Sequence, residues 1–394
     1  HSCLPPFYCG KFMSSPERSG SQAVISIDTD SAASPVVSSP SVGHTGGGAS
    51  SSTAAGSPGV TKTTFVDQFG FELPTEEAVE EELRYVRTID GVRVERREIK
   101  WSNMAREWEA MMKKKFEKVK ERSRKGIPHE VRGLIWQLLT SSRSQMDSPA
   151  NSGVFRALTA KRLPAEVDSL IERDLGRTFP THTLFRDVDG EGQNHLRNIL
   201  RAYAAIDPEV GYVQGMGFIV GTLLTRMNEE EAFWCLHQLM NHNTYRMREL
   251  FRPGFPMLQM FFYQLRKLLE KCIPKVAAHL EQVGCDMSFF ASQWFLTLFV
   301  YHFSFRAVLR VWDIFFCEGW KIIFRVAICL LKWEEKSILS QQLDQLLPRM
   351  RALHEGKNPD EIIERALKIK FTTEDLRVLR ERYETALREG LQPD

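Results

Sequence analysis

The sequence predicts an all-α fold: a large domain of many short helices behind a tail that does not fold. From Phe65 onward, apolar residues recur at the three- and four-residue spacing of a helix face, and no stretch alternates for long as a strand does. Breakers at Pro180, Pro208, Pro253-Gly254, Pro256, Pro274, Gly284 and Gly319 cut that pattern into short helices with short connections. Of the 394 residues, 43% are hydrophobic and 26% charged, the balance of a globular chain. With 52 Lys+Arg against 50 Asp+Glu the formal net charge is +2, so bulk charge gives no argument for nucleic acid as a partner.

Taken in order, residues 21–62 draw 30 of their 42 positions from Ser, Gly, Pro, Ala and Thr, too little apolar surface to offset chain entropy, and are expected to be disordered. The Ser-Pro pairs at Ser34, Ser39 and Ser57 are phosphorylation candidates of a kind common in any such tail. The chain starts at His1 rather than Met, without the pattern of a secretory signal, and reads as truncated at that end. Phe65, Phe69 and Phe71 mark the expected onset of order, followed by Pro74 and the acidic run Glu76 to Glu82, which suits the first turns of a helix. Trp101, Met104, Trp108, Met111 and Val119 predict one amphipathic helix with a basic C-terminal half from Lys113 to Lys125, a solvated face favoured by the helix dipole.

Beyond Gly126 the spacing predicts helices over Val131–Leu139, Val167–Leu175, Leu196–Tyr203, Phe218–Leu224, Ala232–Met240, Met257–Leu269, Trp294–Tyr301, Val308–Phe316 and Ile322–Leu331. A last helix over Glu374–Leu387 opens with a Thr372/Asp375 capping box and carries Leu376, Leu379, Tyr383 and Leu387 on one face, either to pack on the domain or to begin a coiled coil. The longest apolar stretch, Phe289–Phe303, is interrupted by Ser292, Gln293 and His302 and falls short of the roughly 18 residues a bilayer span needs. Seven cysteines, at Cys3, Cys9, Cys235, Cys272, Cys285, Cys317 and Cys329, form no CxxC pair, so reduced thiols and no zinc site are expected.

No metal cluster, Ser-His-Asp set, phosphate-cradling GxxxxGKS loop or dinucleotide fingerprint appears. Three strings set polar residues against apolar surroundings: Gly126 to Trp136, Ile171 to Thr178, and Gly211 to Met216. In the second, a helix from Pro164 turns Val167, Leu170, Ile171 and Leu175 inward and leaves Arg177 in its last turn, with Asp174 three residues earlier able to orient the guanidinium. Alone, such an arginine is more often a helix-terminal ion pair than a catalyst. In the third, Gly211 allows an unusual turn and Gln214 opens the next helix, with Gly215 and Gly217 admitting a close neighbour. A glutamine so placed can address a water and a phosphate, or only satisfy local backbone groups.

Together, and in this order, the strings resemble the motifs of TBC-domain Rab GTPase-activating proteins. Arg132 and Trp136 match an RxxxW element, Ile171, Asp174 and Arg177 an IxxDxxR element, and Tyr212, Gln214 and Gly215 a YxQG element. Ser292-Gln-Trp-Phe-Leu296, which includes Trp294, and Val311-Trp-Asp-Ile-Phe315, which includes Asp313 and is followed by Gly319, resemble the family's later helices. The similarity runs from about Gly126 to Met350. The run from Gly217 to Leu250 most resembles the subgroup of the ecotropic-viral-integration-site protein and the yeast Gyp-type activators, and Val213 and Met216-Gly217 sit where members vary.

The resemblance implies a V-shaped, all-helical TBC domain over 126–350, between a helical extension over 63–125, behind the 1–62 tail, and a C-terminal helical extension over 351–394. It implies an activator that grips a GTP-bound Rab-family small GTPase and supplies two side chains in trans. Arg177 would be the arginine finger and Gln214 the glutamine finger, with Asp174, Tyr212 and Gly215 supporting their geometry and Arg132, Trp136, Trp294 and Asp313 structural. The protein would hold no cofactor or metal of its own, since GTP and Mg²⁺ belong to the GTPase. It would be cytoplasmic, with peripheral recruitment to endomembranes through the Rab. The alternative is a non-catalytic Rab-binding or scaffold module in membrane trafficking.

Overall fold

A computed structural model describes residues 65–393. The tail over 1–62, its Ser-Pro pairs, Cys3 and Cys9 lie outside the described residues. Among those described, the chain is helical, with two isolated antiparallel bridges, Val66 to Glu72 and Phe71 to His182, in place of strands. The N-terminal part contains α1 (Glu76–Arg87), α2 (Gly91–Arg106), α3 (Trp108–Lys114) and α4 (Phe116–Arg124). The middle contains α5 (His129–Thr140), α6 (Ser142–Met146), α7 (Val154–Thr159), α8 (Ala165–Leu175), α9 (Glu191–Ile206), α10 (Met216–Leu224), α11 (Glu229–Asn241) and α12 (Met247–Phe251). Then come α13 (Pro256–Cys272), α14 (Pro274–Gln282), α15 (Ser288–Leu296), α16 (Phe305–Glu318), α17 (Lys321–Trp333), α18 (Glu335–Ile338), α19 (Leu343–Arg351), α20 (Pro359–Leu367) and α21 (Thr373–Arg388).

Local chemistry sets many of these boundaries. Thr75, Asp90 and Asn228 accept hydrogen bonds from the first turns of α1, α2 and α11, and Asn228 with Glu231 forms a full capping box. Packing then joins neighbours in sequence: α8 lies on α9, α9 on α10 and α10 on α11, while α16 touches α4, α5, α17 and α20, and α13 touches α15, α17 and α21. Trp136, Trp294 and Trp312 are wholly enclosed, and Trp136 meets Trp312 and Phe316 at centroid distances of 5.6 and 4.9 Å. Such interlocked rings contribute both buried area and edge-to-face attraction.

The predicted helices are present, with four corrections. The single amphipathic helix from Trp101 to Val119 is three helices, broken at Glu107 and Lys115, whose φ/ψ of −114/32° and −138/33° leave the helical region. A straight helix would carry the apolar stripe around its axis over this length, and the breaks re-aim it so that Trp101, Met104, Met111 and Val119 are all buried. The helix expected over Trp294–Tyr301 ends at Leu296, because Leu298 and Phe299 adopt φ of 50° and 68°. That turn buries both side chains completely and lets the Leu298 carbonyl accept from Trp312 Nε1 at 3.1 Å. Leu170, expected inward, is exposed, and Leu387 in α21 is exposed as well. The rest of the α21 stripe settles the choice left open by the sequence: α21 packs on the domain, with Gln264 of α13 donating to the Leu376 carbonyl at 2.8 Å and the Tyr263 and Tyr383 rings 5.5 Å apart. Its Thr372/Asp375 capping box is present.

Candidate active site

The site is assembled on two chain reversals. Helix α8 buries Ile171, Asp174 and Leu175, and ends at Leu175. Arg177 therefore stands in the turn beyond the helix rather than in its last turn, its N–H donating to the Asp174 carbonyl at 3.2 Å. Thr178 closes the turn by donating from its hydroxyl to the same carbonyl at 2.9 Å, and Phe179, with φ of 52°, sends the chain away. The second reversal follows α9. Arg248 donates to both Asp207 carboxylate oxygens at 2.7 and 3.0 Å and to Glu209 at 2.5 Å, which anchors the start of the connection. Gly211 at φ 59° and Gly215 at φ 105° supply backbone that side-chain-bearing residues rarely adopt. Gln214 lies in this turn, one residue before the Gly215 N-cap of α10 and so just ahead of the helix rather than in it.

One carboxylate joins the two turns. Asp174, only 9% exposed at its side chain, accepts from Arg177 Nη2 on Oδ1 and from the Tyr212 hydroxyl on Oδ2. Burial first, and then the facing Asp174 charge, push the Tyr212 hydroxyl well above the usual phenol range, so it remains a donor. The Arg177 side chain is 44% exposed and Gln214 is partly exposed, so both are accessible from outside the core.

Close approach makes the arrangement possible. A Cβ on Gly217 would stand 2.8 Å from Thr178 Oγ1, and one on Gly221 would stand 2.9 Å from the Phe179 ring. These glycines, four residues apart on one face of α10, let the Arg177 turn seat directly on the helix that follows Gln214. The glycine expectation made from sequence thus holds at Gly217 and extends to Gly221.

The other side of the Arg177 turn is held by residues 65–73, which sequence reasoning took only as the onset of a helical extension. Glu72 N–H donates to the Thr181 carbonyl, and Thr183 N–H to the Gly70 carbonyl, each at 2.9 Å. Phe71 meets Phe179 edge-on at 5.4 Å and His182 at 4.7 Å. The three early phenylalanines were the available signal, although their distant partner was not readable from them.

Arg132, Trp136 and Asp313 form a different cluster, wholly inside the core. Asp313 accepts from Arg132 Nε at 3.1 Å, Trp136 Nε1 at 2.9 Å and the Ile127 backbone N–H at 2.7 Å. Arg132 also donates to the Ile127 carbonyl. A buried carboxylate is tolerable only when satisfied in this way, so the trio ties α5 and the segment before it to α16. Trp294 belongs to neither group and packs edge-on against Phe290 at 5.1 Å. Among the described residues no group of three His, Cys, Asp or Glu is placed to hold a metal ion, and no helix is long and apolar enough to cross a membrane.

Arg177, held by Asp174, and Gln214 are thus presented on two adjoining turns of one helical domain. The Rab-GTPase-TBC domain family matches residues 129–339, more than half of the chain, and the protein belongs to that family. It is 36% identical over 290 residues to the human ecotropic viral integration site 5 protein homolog, covering 73% of this chain and 35% of that protein. It is 33% identical over 289 residues to the Rab GTPase-activating protein tbc-11 of Caenorhabditis elegans, covering 72% of this chain and 30% of that one. The chain thus spans about a third of the length of these relatives. Among solved structures, the Chlamydomonas flagellar RabGAP TBC domain superposes with a TM-score of 0.57 at 28% identity, over 77% of this chain and 99% of that one. The Ypt/Rab-GAP domain of Gyp1p shares the fold at 18% identity and a TM-score of 0.57, over 74% and 99%.

Proposed function

We propose that the protein accelerates GTP hydrolysis by a GTP-bound Rab-family small GTPase, with Arg177 and Gln214 supplied in trans. GTP and Mg²⁺ are bound by the GTPase and form part of the substrate complex. In the transition state, negative charge spreads over the transferring phosphoryl oxygens. The planar Arg177 guanidinium neutralises it with paired N–H donors, while the Gln214 amide accepts from the attacking water and donates toward the phosphate. Neither side chain forms a covalent bond, so catalysis is positioning and electrostatics. The observation that carries this reading is the Asp174 carboxylate bound at once to Arg177 and Tyr212, which fixes the exposed guanidinium next to the turn that bears Gln214. The same reading places the protein in vesicle trafficking, in the cytoplasm and on endomembranes where its Rab resides.

The test is single-turnover GTP hydrolysis by a panel of purified Rabs with the intact chain, Arg177→Ala, Arg177→Lys and Gln214→Ala. Arginine fingers are worth about 10³ to 10⁵ in rate, and both Arg177 variants are expected to lose most of that, since lysine lacks the planar fork. Rab binding and thermal stability should remain near those of the intact chain. Undiminished stimulation in the variants, or tight Rab binding without stimulation by the intact chain, would overturn the catalytic reading in favour of a binding module.

A further inference from the structure

Arg177 stands in a stretch with no helix of its own, since α8 ends at Leu175 and α9 begins at Glu191. The ring that anchors this stretch is Phe179, two residues beyond Arg177 and 8% exposed. On one side α10 covers it, with Phe218 edge-on at 5.7 Å and Gly221 against the ring. The other side is covered from far away in sequence, by Phe71 at 5.4 Å and Phe305 at 5.8 Å, and Phe71 in turn meets Phe305 at 5.0 Å. Helices α10 and α16 lie within residues 129–339, which carry the family match, whereas Phe71 lies ahead of them. Part of the enclosure of Phe179 is therefore supplied from outside the family domain.

The segment that carries Phe71 is a small loop braced by its own hydrogen bonds. Asp67 Oδ1 accepts from the Phe69 and Phe71 N–H groups at 2.8 and 2.9 Å, and the Asp67 N–H donates to the Phe71 carbonyl at 2.8 Å. Gly70, at φ 100°, faces His182, and a Cβ there would stand 2.9 Å from Nε2. His182 pins the loop to the turn: Leu184 N–H donates to Nδ1 at 3.0 Å, so the ring proton sits on Nε2 and is donated to the Phe69 carbonyl at 2.9 Å. On its outer side Phe69 meets Phe305 at 5.7 Å, with the Arg226 and Arg306 guanidinium groups 6.0 and 5.9 Å from its ring, and Arg306 is paired with Glu82 of α1 at 2.7 Å. Granted the catalytic roles given to Arg177 and Gln214, we propose that Phe71 is a positioning residue for the arginine finger, and that residues 67–71 keep the finger turn in its productive place. Enclosed on both sides, Phe179 fixes the backbone two residues from Arg177. Uncovered on one side, the turn gains other placements, and a displacement of about 1 Å at a catalytic group costs on the order of a hundredfold in rate.

The experiment uses the full chain. Single-turnover GTP hydrolysis by purified Rabs is followed at rising concentrations of the chain, which separates a saturating rate from a half-saturation concentration. Phe71→Ala should lower the saturating rate about ten- to a hundredfold and leave half-saturation within about twofold. Tyr383→Ala removes a similarly half-buried ring from the contact of α21 with Tyr263 and should leave both quantities unchanged, which separates positioning from a general loss of stability. If Phe71→Ala melts early, the Asp67 variants decide: Asp67→Ala, which frees the two N–H groups that shape the loop, should lower the saturating rate severalfold, and Asp67→Asn, which keeps the acceptor oxygen, should restore it. An unchanged saturating rate in Phe71→Ala and Asp67→Ala, an equal fall in Tyr383→Ala, a change confined to half-saturation, or no rescue by Asp67→Asn overturns the positioning role alone. An intact chain that stimulates no Rab overturns the catalytic reading and the positioning role with it, a failure seen before any variant is made.

Discussion

Asp174 carries two contacts on one carboxylate: it holds Arg177, and it is held still itself. Tyr212 does the second, donating to Oδ2 while Arg177 takes Oδ1. Because the guanidinium is 44% exposed, the ion pair adds little to stability, and its value lies in restricting where the fork points. Tyr212→Phe keeps the ring, which is buried, and removes only the donor. A hydrogen bond to a charged group contributes about 1.5–3 kcal/mol, so the variant is expected to lose stimulation of Rab GTP hydrolysis by about tenfold or more while Rab affinity holds. Single-turnover rates set against a binding titration check this, and an unchanged rate would show that Asp174 orients Arg177 unaided.

At the level of elements, the glycine face of α10 offers a sharper separation of stability from function. Gly217→Ala has ordinary helical backbone available and gains about 1 kcal/mol of helix propensity, yet its Cβ must displace Thr178, which closes the Arg177 turn. Stimulation is expected to fall severalfold with no large loss in melting temperature; a parallel collapse of both would mean that the glycine serves packing alone. Elements of this kind were partly legible. Periodicity located α8, α9, α10, α13, α16, α17 and α21 because each has one face to bury, and the motif strings supplied Asp174, Arg177, Tyr212 and Gln214 through their resemblance to a family. What periodicity does not encode is where a helix stops when no proline or glycine marks the spot. Leu298 and Phe299 enter the left-handed region because tertiary burial rewards it, and Glu107 and Lys115 break a continuous pattern to re-aim it. Contacts distant in sequence were hidden for the same reason. Phe71 against Phe179, and Arg248 on Asp207, are visible only once the helices between them have packed.

Across the whole molecule, the same enclosure that satisfies Asp313 also traps histidines in their neutral form. His129, His182, His237, His302 and His354 all have their pKa lowered, with burial the first cause in each, and His302 is pushed down to about 4 with His354 and Arg351 facing it. In the unfolded chain each would take a proton near pH 6.5. Between that value and the lower folded pKa the unfolded state binds more protons than the native one, so stability is full above about pH 6.5 and declines as pH falls. For His302 the difference amounts to up to about 3 kcal/mol by pH 4, with the other four adding in the same direction. The carboxylates act lower: Asp375, held down to about 2 first by Lys271, loses its contribution only beneath its unfolded value of 3.8. Thermal melts from pH 7.5 to 5.5 should therefore show a falling Tm in the histidine window, above the range in which the carboxylates titrate. His302→Leu should flatten part of that slope, and a Tm constant across the range in the intact chain would show that these rings are protonated as readily inside the fold as outside it.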